Sequence, residues 1–426
     1  MHTDRYGNEL ATSSAQARNC YVEAVDNLLG GGPYMSDGFE KVVAADPGFA
    51  LGHSGLARAR QIQGDIAGAR EAMATARGLT GGLSTKDQAH VNALGLLIDG
   101  KGAEAYSAIR AHAAEYPRDV MVAQTCTSVF GLIGFSGKAG REAELLGYTS
   151  TLAPHYGDDW WFLSQHAFSY CETGQLDRAD SLIEQSLALN PRNGHGAHVR
   201  AHTYYEAGET PAGIRYLEGW LPDYPQAGLM HSHISWHLAL WKLGEGDIEA
   251  VWDLVDHYVA PDASQAFPLI VMTDYAAMLY RAELAGYPVP AERWQTIADY
   301  AQHFFPNPGV AFADVHAAMA YAMTGQTEAL EAIIANPAGP AGDLVKELAI
   351  AYQAIACQDW NEAADHLAHG IANHERIGGS RAQRDLIEHT MAAVMLKLGH
   401  AAEARRLLTM HRPRIASGTP VKGLAA

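Results

Sequence analysis

The sequence predicts an all-α solenoid of antiparallel helical hairpins, curled tightly enough to close around a pocket. Three observations carry this. Proline and glycine recur at near-constant intervals, apolar residues recur at helical and not at strand spacing, and 426 residues exceed what one ordinary globular core organises. At 48% hydrophobic and 18% charged residues the chain has enough apolar surface to fold.

The intervals come first. By subtraction, Pro117, Pro154, Pro191 and Pro225 stand 37, 37 and 34 residues apart, and Gly174, Gly208 and Gly244 stand 34 and 36 apart. Tetratricopeptide repeats have a period of roughly 34 residues. Proline is tolerated just ahead of a first helix, where its missing N–H costs nothing. Glycine closes that helix with a left-handed cap, and a small residue such as Ala69 or Ala179 lets the second helix pack close.

Taken in order, residues 8–29 read as a capping helix and the "GGG" at Gly30 to Gly32 as a loop. Pro47 opens a hairpin whose first helix reaches Gly64. "YPRDVMVAQTCTSVFGLIGFSG" opens another, from Pro117 to Gly134. Pro154 to Gly174, Gly194 to Gly208, Pro225 to Gly244 and Pro308 to Gly325 supply further first helices. Residues 261–306 fit the period less well, although "FPLIVMTDYAAMLYRAELAGYP" is helical. Residues 343–356, 360–374, 381–398 and 401–411 read as C-terminal helices. The expectation is one domain over 1–426 with roughly 16 helices. It has an N-terminal cap at 1–45, repeats at 46–340, C-terminal helices at 341–415 and a flexible tail at 416–426.

A formal net charge of −18 argues against nucleic acid and against an anionic membrane surface as partners. Cys20, Cys126, Cys171 and Cys357 are far apart with no C-x-x-C, which fits a reducing cytoplasm. The start shows no signal-peptide pattern, and no apolar run is long enough to span a bilayer.

The 21 histidines are the chemical signal. Repeats of this kind build their concave face from positions 2, 5, 9, 12 and 13 of the first helix. With Gly194, the third residue after Pro191, as position 1, these are His195, His198, His202, Tyr205 and Glu206. A solvated polar face would explain such a stripe, but lysine and glutamate solvate a helix more cheaply, and one glutamate is all it holds. The next first helix carries His231, His233 and His237; its register is ambiguous by two residues, and His231 lies round the side. Asp274 sits in an apolar helix, where a lone carboxylate needs a partner. Asp314 and His316 lie off the inner stripe in "FADVHAAMAYA". "GGSRAQRDLIEH" offers Gln383, Arg384 and Asp385 at a helix start suited to a carboxylate or phosphate. Ion pairs at i, i+4, Arg381 with Asp385 and Arg384 with Glu388, explain that stretch equally well. Trp160, Trp161 and Phe162 read as core that borders the same face.

His198 with His202, and His233 with His237, are i, i+4 pairs able to chelate an ion such as Zn, Fe or Mn. Proton transfer without a metal stands ahead of it: there is no H-E-x-x-H, and His195 lies two turns from His202, roughly 10 Å, so both cannot ligate one ion. G-x-G-x-x-G after a strand, the P-loop, G-x-S-x-G and a cysteine nucleophile motif are missing.

The stretches "TDRYGNELATSSAQA", "DPGFALGHSGLA", "HGAHVRAHTYYEAGE", "HSHISWHLALW", "FADVHAAMAYA" and "GGSRAQRDLIEH" resemble the StaR-like family of tetratricopeptide-like proteins, to which tetratricopeptide repeat protein thirty-eight belongs. The resemblance touches nearly the whole chain. It implies a helical-repeat fold and names no catalytic residue.

From the residues, the expected function is a concave site for a small, anionic molecule. His198, His202, His233 and His237 would transfer protons or hold a divalent metal. His195, Tyr205, Glu206, His231, Asp274, Asp314, His316, Gln383, Arg384 and Asp385 would contact the substrate, with arginine on its anion. The alternative is a non-catalytic adaptor gripping a peptide in its groove, whose clamps need Lys, Arg and Asn on the inner stripe. Homo-oligomerisation through Trp252, Tyr258 and Phe267 is a third expectation.

Overall fold

The computed structural model describes residues 2–415 and 418–424. Among them the backbone forms 22 α-helices, and the only sheet is a two-stranded pairing of His2–Thr3 with Glu9–Leu10. The helices fall into two kinds. Second helices of the hairpins bury one stripe, as in Leu176–Leu189 with Ala179, Ile183 and Ser186, or Trp360–Ile371 with Ala363, Leu367 and Gly370. First helices are buried nearly all round, including His231–Gly244, Pro268–Ala285 and Arg381–Lys397. They form an inner layer wrapped by the amphipathic outer one. Ala69 and Ala179 are fully buried where outer helices approach inner ones.

The punctuation works differently from its sequence reading. Gly208 is the left-handed cap of Gly194–Ala207, at φ 74°. Gly244 instead ends the His231–Gly244 helix itself, and the left-handed residue is Gly246 at φ 78°. This shift is the two-residue register ambiguity. Pro154 lies inside the last turn of Arg141–Tyr156, not just ahead of a first helix, and Trp160–Glu172 starts from an Asp159 cap. The repeats are also more finely divided than about 16 helices.

The largest departure is at residues 120–140. The first helix expected from Pro117 to Gly134 stops after Val120–Ala123 and a 3-10 turn, Gln124–Cys126. The chain then winds irregularly to Arg141. Leu132 N–H donates back to Thr125 O at 2.9 Å and Phe135 N–H to Gly131 O at 3.0 Å. A side chain at Gly134 would meet Val129 O at 1.9 Å, so glycine permits this tight path. Where an inner helix would have filled space there is a cavity of about 800 Å³, and this segment forms part of its wall.

The superhelix closes on itself. Gly194 N–H donates to Gly30 O at 2.8 Å and Leu229 N–H to Gly31 O at 2.9 Å, so the Gly30–Gly32 loop ties the first helices to the middle of the chain. Arg141 donates to Glu375 O and Gly379 O, and Arg376 Nε to Gly137 O at 2.9 Å, joining residues more than 230 apart. Of the tail predicted to be flexible, residues 416, 417, 425 and 426 lie outside the described residues. Val421 and Leu424 are instead buried against Ala392, Ala404 and Leu408, because that apolar surface would otherwise face water. No helix among the described residues is long and apolar enough to cross a membrane.

Gly134→Ala is expected to lose about 1–3 kcal/mol of stability through overpacking. Gly147→Ala, on an exposed helical position where a methyl meets nothing, is expected to gain about 0.5–1 kcal/mol. Urea unfolding of the two variants checks the pair.

Candidate metal centre

Two adjacent inner helices, Gly194–Ala207 and His231–Gly244, bring four imidazoles together. One nitrogen from each of His198, His202, His233 and His237 lies within 4.8 Å of the others, and all four residues are buried. Ring centroids of neighbouring pairs are 4.5 to 5.3 Å apart. The i, i+4 spacing on each helix puts its two rings one turn apart on one face, and the packing of the helices sets the pairs against each other. Phe168 closes the third side, its ring 5.5 Å from His198 and 4.9 Å from His202.

The hydrogen bonding leaves this cluster short of partners. His198 Nε2 and His202 Nε2 are 2.9 Å apart. His202 Nδ1, His233 Nε2 and both nitrogens of His237 are buried without a partner. Each such group costs roughly 1–3 kcal/mol, so the arrangement needs something to answer it. Burial, followed by the neighbouring histidines, holds His198, His202 and His237 well below the usual imidazole range. They are neutral at pH 7, the form that ligates a metal.

His233 has a fixed orientation. Its Nδ1 lies 2.6 Å from Oδ2 of Asp274, which is fully buried on Pro268–Ala285. A carboxylate accepts, so Nδ1–H donates to it and Nε2 is the nitrogen left for the cluster. This is the carboxylate–histidine arrangement that orients metal ligands. The other oxygen of Asp274 accepts from Gln383 Nε2 at 3.4 Å, and Gln383 is itself held in a capping box with Ser380.

The remaining predicted residues divide into three groups. His195 borders the 800 Å³ cavity with His198 and His233 but stands outside the cluster, and burial lowers it to about 4. His231 points elsewhere: its ring stacks on Tyr224 at 6.2 Å and meets Tyr258 at 5.0 Å. Asp314 accepts from Gly309 N–H at 2.8 Å, and His316 Nδ1 lies 2.7 Å from Phe312 O, both within their own repeat. Trp161 borders the cavity, while Phe162 stacks on Tyr156.

Tyr205, Glu206, Arg384 and Asp385 are bound to other protein groups. Tyr205 Oη donates to Asp385 at 2.6 Å, and Arg281 meets the same carboxylate at 2.5 Å. Glu206 pairs with Arg412 at 2.7 Å and Arg381 at 3.2 Å. Arg384 pairs with Glu142 and, at 3.9 Å, with Glu172. The anion at the start of Arg381–Lys397 is the protein's own: Glu172 accepts from Arg381 N–H at 3.0 Å. Burial pushes Glu172 up to about 7. The i, i+4 pairs expected for Arg381 and Arg384 are replaced by partners on other helices, since a buried helix cannot leave its charges to solvent.

A second polar cluster escaped the sequence reading. Ser54 Oγ lies 3.0 Å from His90 Nε2, and His90 Nδ1 lies 2.9 Å from Asp119, which also meets His112 Nε2 at 2.9 Å. The connectivity is that of a hydrolase triad, but Ser54 is fully buried, does not border the cavity, and donates to Leu51 O. Its hydroxyl is closed off from the cavity and committed to the backbone. Phe168 was findable: it stands six residues before Gly174, as His202 does before Gly208.

No protein-family model matches the chain. Among solved structures it is similar to human IFIT1 in a dimer with m7Gppp-AAAA, at 12% identity and a TM-score of 0.46 over 99% of this chain and 96% of that one. It is similar also to the APC/C hetero-tetramer Cut9–Hcn1, at 9% and 0.37 over 96% and 94%. A third is yeast Tom70, at 12% and 0.36 over 92% and 83%.

Asp385→Ala leaves Arg281 buried without its carboxylate and is expected to cost about 3–5 kcal/mol. Glu403→Ala, on an exposed pair with Arg406, is expected to change stability by about 0.5 kcal/mol or less. Equal urea midpoints for the two variants would remove the inner charge network from the account.

Proposed function

We propose that His198, His202, His233 and His237 hold one metal ion, and that the protein is an enzyme acting on an apolar small molecule in the adjoining cavity. The observation that carries this is the convergence of four buried, partner-poor imidazoles, one of them oriented by Asp274. At metal–nitrogen bonds of about 2.0–2.1 Å, ligand nitrogens stand about 3.4 Å apart in a tetrahedron and about 2.9 to 4.2 Å apart in an octahedron, so the widest separation closes by roughly 0.6 to 1.4 Å. Proton transfer without a metal accounts less well for the cluster, because acid–base work needs one or two imidazoles and gives no reason to bury four against one another.

Ligand chemistry narrows the ion. An all-imidazole set suits Zn or Fe; Mn favours carboxylate and water oxygens. Four imidazoles saturate a tetrahedral zinc, which would make the site structural. A six-coordinate iron keeps two positions free, and His198 and His233 are both ligand candidates and cavity wall. Iron is therefore the ion that lets this site do chemistry. Asp274 would offset part of its charge through His233.

A peptide-clamping adaptor is supported less. Its groove would use Tyr205 and Glu206, which are tied to Asp385, Arg412 and Arg381. Membership of the StaR-like family is part of the proposal; the stretches that suggest it, "HGAHVRAHTYYEAGE" and "HSHISWHLALW", carry all four imidazoles. So are a single-domain organisation and a cytoplasmic location.

Elemental analysis of untagged protein tests the proposal. About one iron per chain is expected, lost in His202→Ala/His237→Ala. Asp274→Asn is expected to bind the ion about 10- to 100-fold more weakly. Zinc in its place would make the centre structural, and protein that takes up neither ion on reconstitution would overturn it.

A further inference from the structure

We propose that the cavity takes an apolar monocarboxylate, bound at its carboxylate by Arg58; this deepens the small-molecule reading above and rests on it. Arg58, from the helix Ala50–Ile62, borders the same cavity as His198 and His233. Half-buried on the cavity wall, its guanidinium lacks what three of the four fully buried arginines among the described residues have; the fourth, Arg141, is held by the backbone oxygens of Glu375 and Gly379. Arg281, Arg384 and Arg412 each meet a carboxylate. Arg58 meets two neutral amides: Nη1 donates to Gln61 Oε1 at 2.8 Å and Nη2 to Gln124 Oε1 at 3.4 Å, while Nε is buried without a partner. No carboxylate among the described residues lies within ion-pair reach of it. Burial lowers its pKa to about 10, so it stays charged at neutral pH. A half-buried guanidinium with an unpartnered N–H beside a cavity gains a charge-assisted hydrogen bond from any anion that reaches it. No side chain supplies one; a ligand in the cavity would.

The walls define the rest of the ligand. Leu28, Leu29, Phe130, Phe168, Phe267 and Ile270 are among the residues lining the cavity that Arg58 shares with His198 and His233. The volume of about 800 Å³ lies within the ordinary range for small-molecule sites, roughly 300–1,000 Å³. Charge counting selects carboxylate over phosphate. One unpaired cation answers one negative charge, and a phosphate monoester carries about 1.5 to 2 at pH 7. Lys138, the other cation bordering the cavity, is half exposed, 3.8 Å from Glu144. The planar fork of arginine matches a carboxylate in two parallel hydrogen bonds. Repeat register is consistent with this. Arg58 stands six residues before Gly64, as Phe168 does before Gly174 and His202 before Gly208. It occupies the position that in the Gly194–Ala207 helix carries one ligand candidate, His202, and that ahead of Gly246 carries Leu240.

Calorimetric titration of the untagged full-length protein with decanoate, decanol and decyl phosphate tests this, with metal content measured on the same preparations. Wild type is expected to bind decanoate at least about 10-fold more tightly than decanol, and decyl phosphate no more tightly than decanoate. Arg58→Met is expected to erase the preference for decanoate while leaving decanol affinity unchanged; Arg58→Lys is expected to keep part of it. Equal affinity of wild type for decanoate and decanol, no binding of decanoate, or a preference that survives in Arg58→Met overturns the proposal. The wild-type comparison stands even where a variant fails to fold. Decanoate preference in protein that takes up no metal supports Arg58 and refutes the metal centre. Metal uptake without decanoate binding refutes Arg58 alone.

Discussion

A charged helix in the middle of a protein must have each of its charges answered, and Arg381–Lys397 is such a helix. Arg384, Asp385 and Glu388 are almost fully buried on it, and their partners come from Glu142, Glu172, Arg281, Tyr205 and Arg412. Those residues are spread along the chain from Glu142 to Arg412, just past the last helix. An open solenoid would leave these groups unpaired, so the pairing requires the superhelix to wrap round this helix. Removing one member of a buried pair is far more costly than removing an exposed one, which makes closure a condition of the fold and not an accident of curvature.

The candidate metal centre depends on that closure through a short chain of hydrogen bonds. The capping box of Arg381–Lys397 holds Gln383, whose amide donates to Asp274, which accepts from His233 and so fixes which ring nitrogen faces the cluster. The four imidazoles come from two adjacent repeats, but the carboxylate and amide that orient them come from helices about 40 and 150 residues further on. The cavity has a separate local cause. One inner helix gives way after Val120–Ala123 to a glycine-bearing irregular segment, and the space it leaves lies beside His198 and His233.

The repeat fold was legible because its signals are local: helical periodicity, glycine caps and small residues at helix contacts. The pairing of His198 with His202 and of His233 with His237 was legible for the same reason, since spacing on one helix fixes a shared face. That the two pairs meet is a matter of register between repeats, and Gly244 in place of Gly246 as the assumed cap blurred it. The partners of Tyr205, Glu206, Arg384 and Asp385 were not legible. Sequence shows a charge but not the partner that closure brings to it, and the anion expected at the start of Arg381–Lys397 is Glu172 from over 200 residues earlier. Arg58 went unnoticed because an isolated arginine resembles a surface residue until its surroundings are seen.

The central claim is that four imidazoles, and no other protein group, surround one ion. X-ray absorption at the edge of the ion in metal-loaded protein measures this most directly. The expected result is a nitrogen shell at about 2.0–2.2 Å with the outer-shell scattering of four imidazole rings. A shell with sulfur, or an oxygen-dominated shell with one imidazole or fewer, would contradict it.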